Sequence, residues 1–342
     1  MRLRLTVFLL LALGVGAFAP LRSQGTAQPP ASALGDRARD VERRLALIPG
    51  HESAKATVRF PFQGNIPATQ RGRGYDPTVD LGRSESVLKS LESGTDPLVR
   101  AKGDTKRHHY FAPADEILPY RVAVPTDWDG KQSLPIVLML HGGGSNEDAY
   151  MDLSNRLLPR LAEQHHYIVV SPLGYRPVGA YGNPLRLPAV FGQPAAAVTQ
   201  RAAVTAERAR ELTLSELEVM SVLEIVTAEY GADRSLTFLA GHSMGSGGAW
   251  HLAARYPDRW RAVAPMSGPF VDEPTYSFDR IRRLPILMTE GTGATPSLEG
   301  SRLFAAYLKT HNFNVEYLEV DGDHMGMVPM VLERVFQFFS RQ

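Results

Sequence analysis

From Lys106 to the C-terminus the sequence alternates short apolar runs with longer segments of helical spacing, and few architectures satisfy that alternation. The runs are "LPIVLMLH", "YIVVSP", "SLTFLA", "RAVAPMSG", "LPILMTEG" and "NVEYLEV". A run that is apolar throughout, rather than at every second residue, is a strand covered on both faces, which is the situation inside a parallel sheet. Between the runs, residues 149–164, "LSELEVMSVLEIVTAEYG", "LEGSRLFAAYLKTH" and "MVPMVLERVFQFFSR" carry apolar residues at helical spacing. "RHHYFAP" and "LPYRVAVP" add two early strands. The expectation is an α/β fold, a mostly parallel sheet with helices on both faces.

The chain has 342 residues, 44% of them hydrophobic and 21% charged, enough for a sizeable core. A formal net charge of +1 and the lack of any long basic run give no footprint for nucleic acid. "MRLRLTVFLLLALGVGAFA" pairs Arg2 and Arg4 with an apolar run too short to span a bilayer, the pattern of a secretory signal. Residues 1–27 are therefore expected to be removed, leaving a secreted or periplasmic protein with no membrane association. With no cysteine, neither a disulfide nor a lipidated thiol is available. Residues 28–104 form an extension of unknown role, with a short amphipathic helix over Asp36–Ile48 and then irregular chain through "FPFQGNIPATQRGRGYDPTVDLG". It is read as packed on, or tethered to, the main domain at 105–342, or as a small lid facing the substrate. The long stretch from Pro172 to Leu212 is expected to wall the active site.

Ser243 stands in "LAGHSMGSGGAW", between a predicted strand and a predicted helix. A nucleophile on so tight a turn needs small neighbours, and Gly241 and Gly245 provide them. The glycine cluster in "HGGGSNED" follows the strand "PIVLML", where a backbone N–H from Gly143, with that of Met244, would hold an oxyanion. A phosphate cradle would need a lysine and a hydroxyl residue that the cluster lacks. His324, in "VDGDHMGM" between the last strand and the last helix, is the candidate general base. A metal site at Asp321, Asp323 and His324 lacks a second histidine at helical spacing. The adjacent pairs His108–His109 and His165–His166 read as ordinary surface histidines, and Tyr181 and Trp250 as packing residues or parts of a pocket wall.

Together "PYRVAVPTDWDG", "LPIVLMLHGGGSNED", "GHSMGSGGAWHLAARYPDRWRAVAPMSG" and "DGDH" make residues 119–342 resemble an α/β-hydrolase. The likeness is to serine esterases of the feruloyl esterase, acetyl-xylan esterase and polyhydroxybutyrate depolymerase group. In that group the strand equivalent to "LPILMT" ends in His-Gly, with the catalytic aspartate three residues after the glycine; here Glu290 and Ala294 hold those positions. The expected substitute acid is Asp272, or its neighbour Glu273, after the preceding strand. Glu290 is the alternative, and Glu299 a further one. The resemblance implies an exported serine hydrolase that forms an acyl-enzyme on Ser243, needs no cofactor or metal, and acts on a small or polymeric ester. A peptidase of the same fold, or a degenerate hydrolase that only binds ligands, are the other readings.

Overall fold

The computed structural model describes residues 31–64, 70–73, 75–184, 191–192, 204–273, 275–293 and 295–342. The signal segment and Ala294 lie outside the described residues, as do 185–190 and 193–203 of the long Pro172–Leu212 stretch.

Among the described residues eight strands form one sheet in the order β1-β2-β4-β3-β5-β6-β7-β8. They are β1 (Gly103–Phe111), β2 (Glu116–Val124), β3 (Ile136–Leu140), β4 (Ile168–Pro172), β5 (Thr237–His242), β6 (Ala262–Met266), β7 (Ile286–Gly291) and β8 (Val315–Val320). β2 runs antiparallel to both β1 and β4, and every pairing from β4 to β8 is parallel. This is the sheet of an α/β-hydrolase.

Alternate residues of the central strands feed two separate cores. On one face Ile136, Leu138, Val170, Leu239 and Val263 pack against the helices α5 (Ala206–Tyr230), α6 (Met244–Arg255) and α8 (Leu298–Thr310). On the other, Val137, Met139, Val169, Phe238 and Ala264 meet α4 (Ala149–His165) and α9 (Met327–Phe339). Burial on both sides explains why these strands read as unbroken apolar runs. The remaining short helix, α7 (Phe278–Ile281), follows β6. β8 closes one end of the sheet half exposed. It carries Glu319 paired to Arg302 of α8 at 2.7 Å and Glu316 paired to Arg341, just beyond α9, at 3.0 Å.

The extension is more ordered than its composition suggests. Among the described residues it holds three α-helices, α1 (Ala31–Leu45), α2 (Glu52–Arg59) and α3 (Pro77–Glu92). The last of these begins inside the stretch expected to be irregular: the Asp76 carboxylate accepts the Thr78 N–H at 2.8 Å and Pro77 takes the first helical position. An acidic cap followed by proline is a helix start, and the glycine- and proline-rich residues before it hide the signal. Val41, Leu45, Val58, Leu88 and Leu91 make a small core of their own, and α2 lies against β1. That contact corrects the reading of His108 and His109 as surface residues. Both are buried, His108 beside Thr57 of α2 (3.1 Å) and His109 beside Glu218 of α5 (3.3 Å). Among the described residues no helix is long and apolar enough to cross a membrane.

Leu88 is 2% exposed within the helical unit. Leu88→Ala is expected to cost about 3 kcal/mol, read as a lower urea midpoint at unchanged slope. A separate early transition would mean instead that the helices unfold apart from the sheet.

Candidate active site

The ends of β5, β6 and β7 and the loop after β8 meet at one place. β5 stops at His242 and α6 starts at Met244, so Ser243 alone makes the turn. Its φ of 56° and ψ of −117° lie in a region that L-residues rarely occupy, a conformation costing of order 1–3 kcal/mol. The turn is held by the Ser243 N–H donating to Met266 O at 3.0 Å and by the Gly247 N–H donating to Ser243 O at 3.1 Å. Close packing leaves no alternative to glycine on either side. A Cβ on Gly241 would overlap the backbone of Gly245, and one on Gly245 would overlap the carbonyl of Leu140.

His324 comes from the loop between β8 and α9, where the Asp323 carboxylate accepts the N–H groups of Met325 (3.1 Å) and Gly326 (2.6 Å). Its Nε2 lies 2.9 Å from Ser243 Oγ, and its Nδ1 lies 2.8 Å from Ser267 Oγ. Ser267 follows β6 at a φ of 52°, a second strand-end serine in the left-handed region. Its hydroxyl donates to Glu290 Oε1 at 2.7 Å. Because the carboxylate only accepts, the Ser267 proton points toward Glu290 and its oxygen is left to accept from His324 Nδ1–H. That assigns the histidine tautomer: the bare Nε2 faces the serine that would be deprotonated. The structure therefore assembles a chain running Ser243, His324, Ser267, Glu290.

Glu290 is fully buried at the end of β7. Besides Ser267, its oxygens accept from Ser297 Oγ (2.8 Å), Ser301 Oγ (2.7 Å) and the Gly291 N–H (3.1 Å). Four donors offset the loss of water around a buried carboxylate, which would otherwise be prohibitive. Asp272, expected as the first choice of acid, does not face His324. Its carboxylate accepts from Thr275 Oγ1, and the carboxylates that act on the His324 ring are those of Glu290 and Asp323. The geometry thus reaches Glu290, the alternative, and reaches it through a serine. Ser267, Ser297 and Ser301 were not singled out in the sequence; the available signal was the glutamate standing where the related esterases carry histidine.

Burial of the His324 ring lowers its pKa, against the opposing pull of Glu290 and Asp323. His242 is held down at about 3 by burial and by the charge of His324, so it stays neutral. It accepts the Tyr150 hydroxyl on Nδ1 at 2.6 Å and donates from Nε2 to the His324 carbonyl at 2.7 Å, fixing the loop that carries His324.

The Gly143 N–H, in the loop after β3, makes no hydrogen bond among the described residues, and the Met244 N–H opens α6 with no turn before it. A Cβ on Gly143 would lie 3.8 Å from Met244 Cβ, so the two amides border the same space beside Ser243. Tyr181 is buried beneath this loop and donates to His141 O at 3.0 Å, while Trp250 lies in the core. Among the described residues no group of histidine and carboxylate side chains is arranged to hold a metal.

The sequence pattern of the esterase family described as "Putative esterase" matches residues 115–278, just under half of the chain. The matched stretch includes the Gly143 loop, Ser243 and Ser267 and ends before Glu290 and His324. A Staphylococcus aureus fluorophosphonate-binding serine hydrolase, solved with substrate bound, is 17% identical. It covers 69% of this chain and 98% of its own, with a TM-score of 0.53. A ferulic acid esterase (18% identity, 70% and 97% coverage, TM-score 0.53) and the S-formylglutathione hydrolase of Agrobacterium tumefaciens (17%, 70% and 96%, 0.52) are similar to the same extent. No curated protein sequence matches the chain. The resemblance to the serine esterases of the α/β-hydrolase fold is thus shown, and the family pattern supports hydrolysis of carboxylic esters.

Gly245→Ala tests the packing of the turn. The methyl group would meet backbone rather than a movable side chain, so a loss of about 3 kcal/mol is expected, read by thermal or urea unfolding. A loss under about 1 kcal/mol would mean that α6 can slide away from the sheet.

Proposed function

We propose that this chain is an exported serine esterase in which Ser243 is the nucleophile and His324 the general base. The observation that carries the reading is the 2.9 Å contact between His324 Nε2 and Ser243 Oγ, made from a strained turn with the opposite ring nitrogen already engaged. Ser243 Oγ attacks the acyl carbon while His324 Nε2 takes its proton. The carbonyl oxygen, now negative, lies against the N–H groups of Gly143 and Met244. His324 returns the proton to the leaving alcohol as the C–O bond breaks, and the acyl group remains on Ser243. Water then adds with His324 again as base, and the acid departs. Ser267 and Glu290 serve as positioning groups. The serine holds the ring in the reactive tautomer, and the carboxylate behind it opposes the positive charge that develops on the imidazole. Likeness to feruloyl and related esterases, together with the signal-like start, supports esters met outside the cytoplasm, with aryl or sugar esters as the first class to try.

Labelling by a fluorophosphonate probe is the direct test. Wild-type protein is expected to label and Ser243→Ala is not; a folded wild type that fails to label would sink the reading. Hydrolysis of p-nitrophenyl esters, without cleavage of aminoacyl anilides, separates an esterase from a peptidase.

Ser267→Ala and Glu290→Gln are both expected to lower kcat by about two to three orders of magnitude. That is short of the ~10⁴ lost when an acid touching the histidine is replaced. Asp272→Ala is expected to leave kcat within about threefold, a difference under about 1 kcal/mol. Collapse in Asp272→Ala with Glu290→Gln unaffected would transfer the acid's role to Asp272.

The pH profile follows from the direction of the His324 shift. The base works when neutral, so kcat/KM falls as pH drops through a pKa below the ordinary histidine value. Glu290 raises that pKa by its negative charge. Glu290→Gln removes this contribution, so the acid limb moves to lower pH even as kcat falls. A limb that stays in place or moves up would show that Glu290 does not act on His324.

A further inference from the structure

A cavity of about 480 Å³ lies between the extension and the loop after β3, bounded by Gln70, Gly72 and Arg73 on one side and by Gly144, Arg176 and Glu211 on the other. The two sides are built to touch. Gly72 takes a φ of 97°, and a Cβ there would sit 2.6 Å from Asn146 Cβ. Asn146 Nδ2 donates to Arg73 O at 3.4 Å, and the Gly144 N–H donates to Pro177 O at 2.8 Å, tying the segment after β4 to the same loop.

The charges around this cavity are unequal in what they have left to give. Arg176 is engaged by Glu116 through two contacts of 2.7 Å and lies over the Tyr175 ring at 3.9 Å. Glu211 is held by Arg208 at 2.8 Å. Arg73 has no carboxylate partner among the described residues, and one of its terminal nitrogens is 3.3 Å from where a Cβ on Gly144 would be. Gly144 is the neighbour of Gly143, and a Cβ on Gly142 would be 3.6 Å from Ser243 Cβ. A guanidinium with no carboxylate partner among the described residues therefore stands against the same glycine loop that borders Ser243.

We infer that this cavity is a subsite for a carboxylate on the substrate, and that Arg73 is the specificity-determining residue that receives it. The inference rests on the serine-esterase reading. It gives the extension a purpose: with α2 lying against β1, it carries Arg73 to the rim of the Gly143–Gly144 loop. A guanidinium fork matches a carboxylate in shape and charge, and an ester whose acid or alcohol part ends in a carboxylate would place one there.

The test uses the full mature protein and two ester pairs. p-Nitrophenyl hydrogen succinate against its methyl ester varies charge on the acyl side; 4-acetoxybenzoate against methyl 4-acetoxybenzoate varies it on the leaving group. Wild type is expected to prefer the charged member of at least one pair by about ten- to hundredfold in kcat/KM, the effect of one charge-assisted contact. Added salt should weaken that preference. Arg73→Gln should abolish it through KM while leaving the neutral esters and the rate of fluorophosphonate labelling unchanged, and Arg73→Lys should restore part of it. No preference in either pair, or a preference that survives in Arg73→Gln, overturns the inference. Binding of monomethyl succinate and of 4-acetoxybenzoate to Ser243→Ala protein, read by calorimetry, keeps the test separate from catalysis. Binding lost on adding Arg73→Gln upholds the subsite even if no ester is cleaved, whereas absence of binding, or binding indifferent to Arg73, refutes it.

Discussion

The whole site depends on how closely the first turn of α6 sits on the sheet. Gly241 on β5 faces the backbone of Gly245, and Gly245 faces the carbonyl of Leu140 on β3, with no room for a methyl group at either contact. That approach forces the chain between them into the sharp turn at Ser243, and the strain is borne by two buried cores rather than by local flexibility. It also sets the Met244 amide next to the Gly143 loop. The placements of Ser243, of the first α6 amides and of the Gly143 loop are three results of one steric fit.

His324 is organised by a different kind of force. A carboxylate at the end of β7 survives burial because hydroxyls and an amide surround it. One of those hydroxyls, Ser267, turns outward to meet His324. A hydroxyl between acid and base transmits orientation well, since its one proton can point only one way. It transmits charge less well, because it holds the two ions farther apart. Tyr150 and His242 add a second, neutral brace on the backbone of His324. The histidine is thus held from its ring and from its carbonyl by independent contacts.

Much of this was readable in the sequence because it depends on neighbours along the chain. The apolar runs announced the parallel strands, and glycines flanking Ser243 within a strand-to-helix setting announced the turn. Asp272 is the expected acid because the resemblance to α/β-hydrolases allows an acid after the strand that precedes "LPILMTEG". The structure instead brings Glu290 to His324 through Ser267, a meeting of three strand ends that no spacing rule encodes. The same limit applies to α3, whose Asp76–Pro77 start was masked by the glycine- and proline-rich residues before it. It applies again to His108 and His109, which looked solvent-facing until α2 was found lying on β1.

The last strand shows how the sheet ends on the side away from the extension. Glu316 and Glu319 project from opposite faces of β8, and each is gripped by an arginine, Arg341 past α9 below and Arg302 on α8 above. An outer strand with unpaired backbone amides is a natural template for strand exchange between molecules. Here any incoming strand would have to pass two anchored ion pairs, one on each face. Charged side chains on both faces are one way an open sheet edge is made a poor template for a further strand.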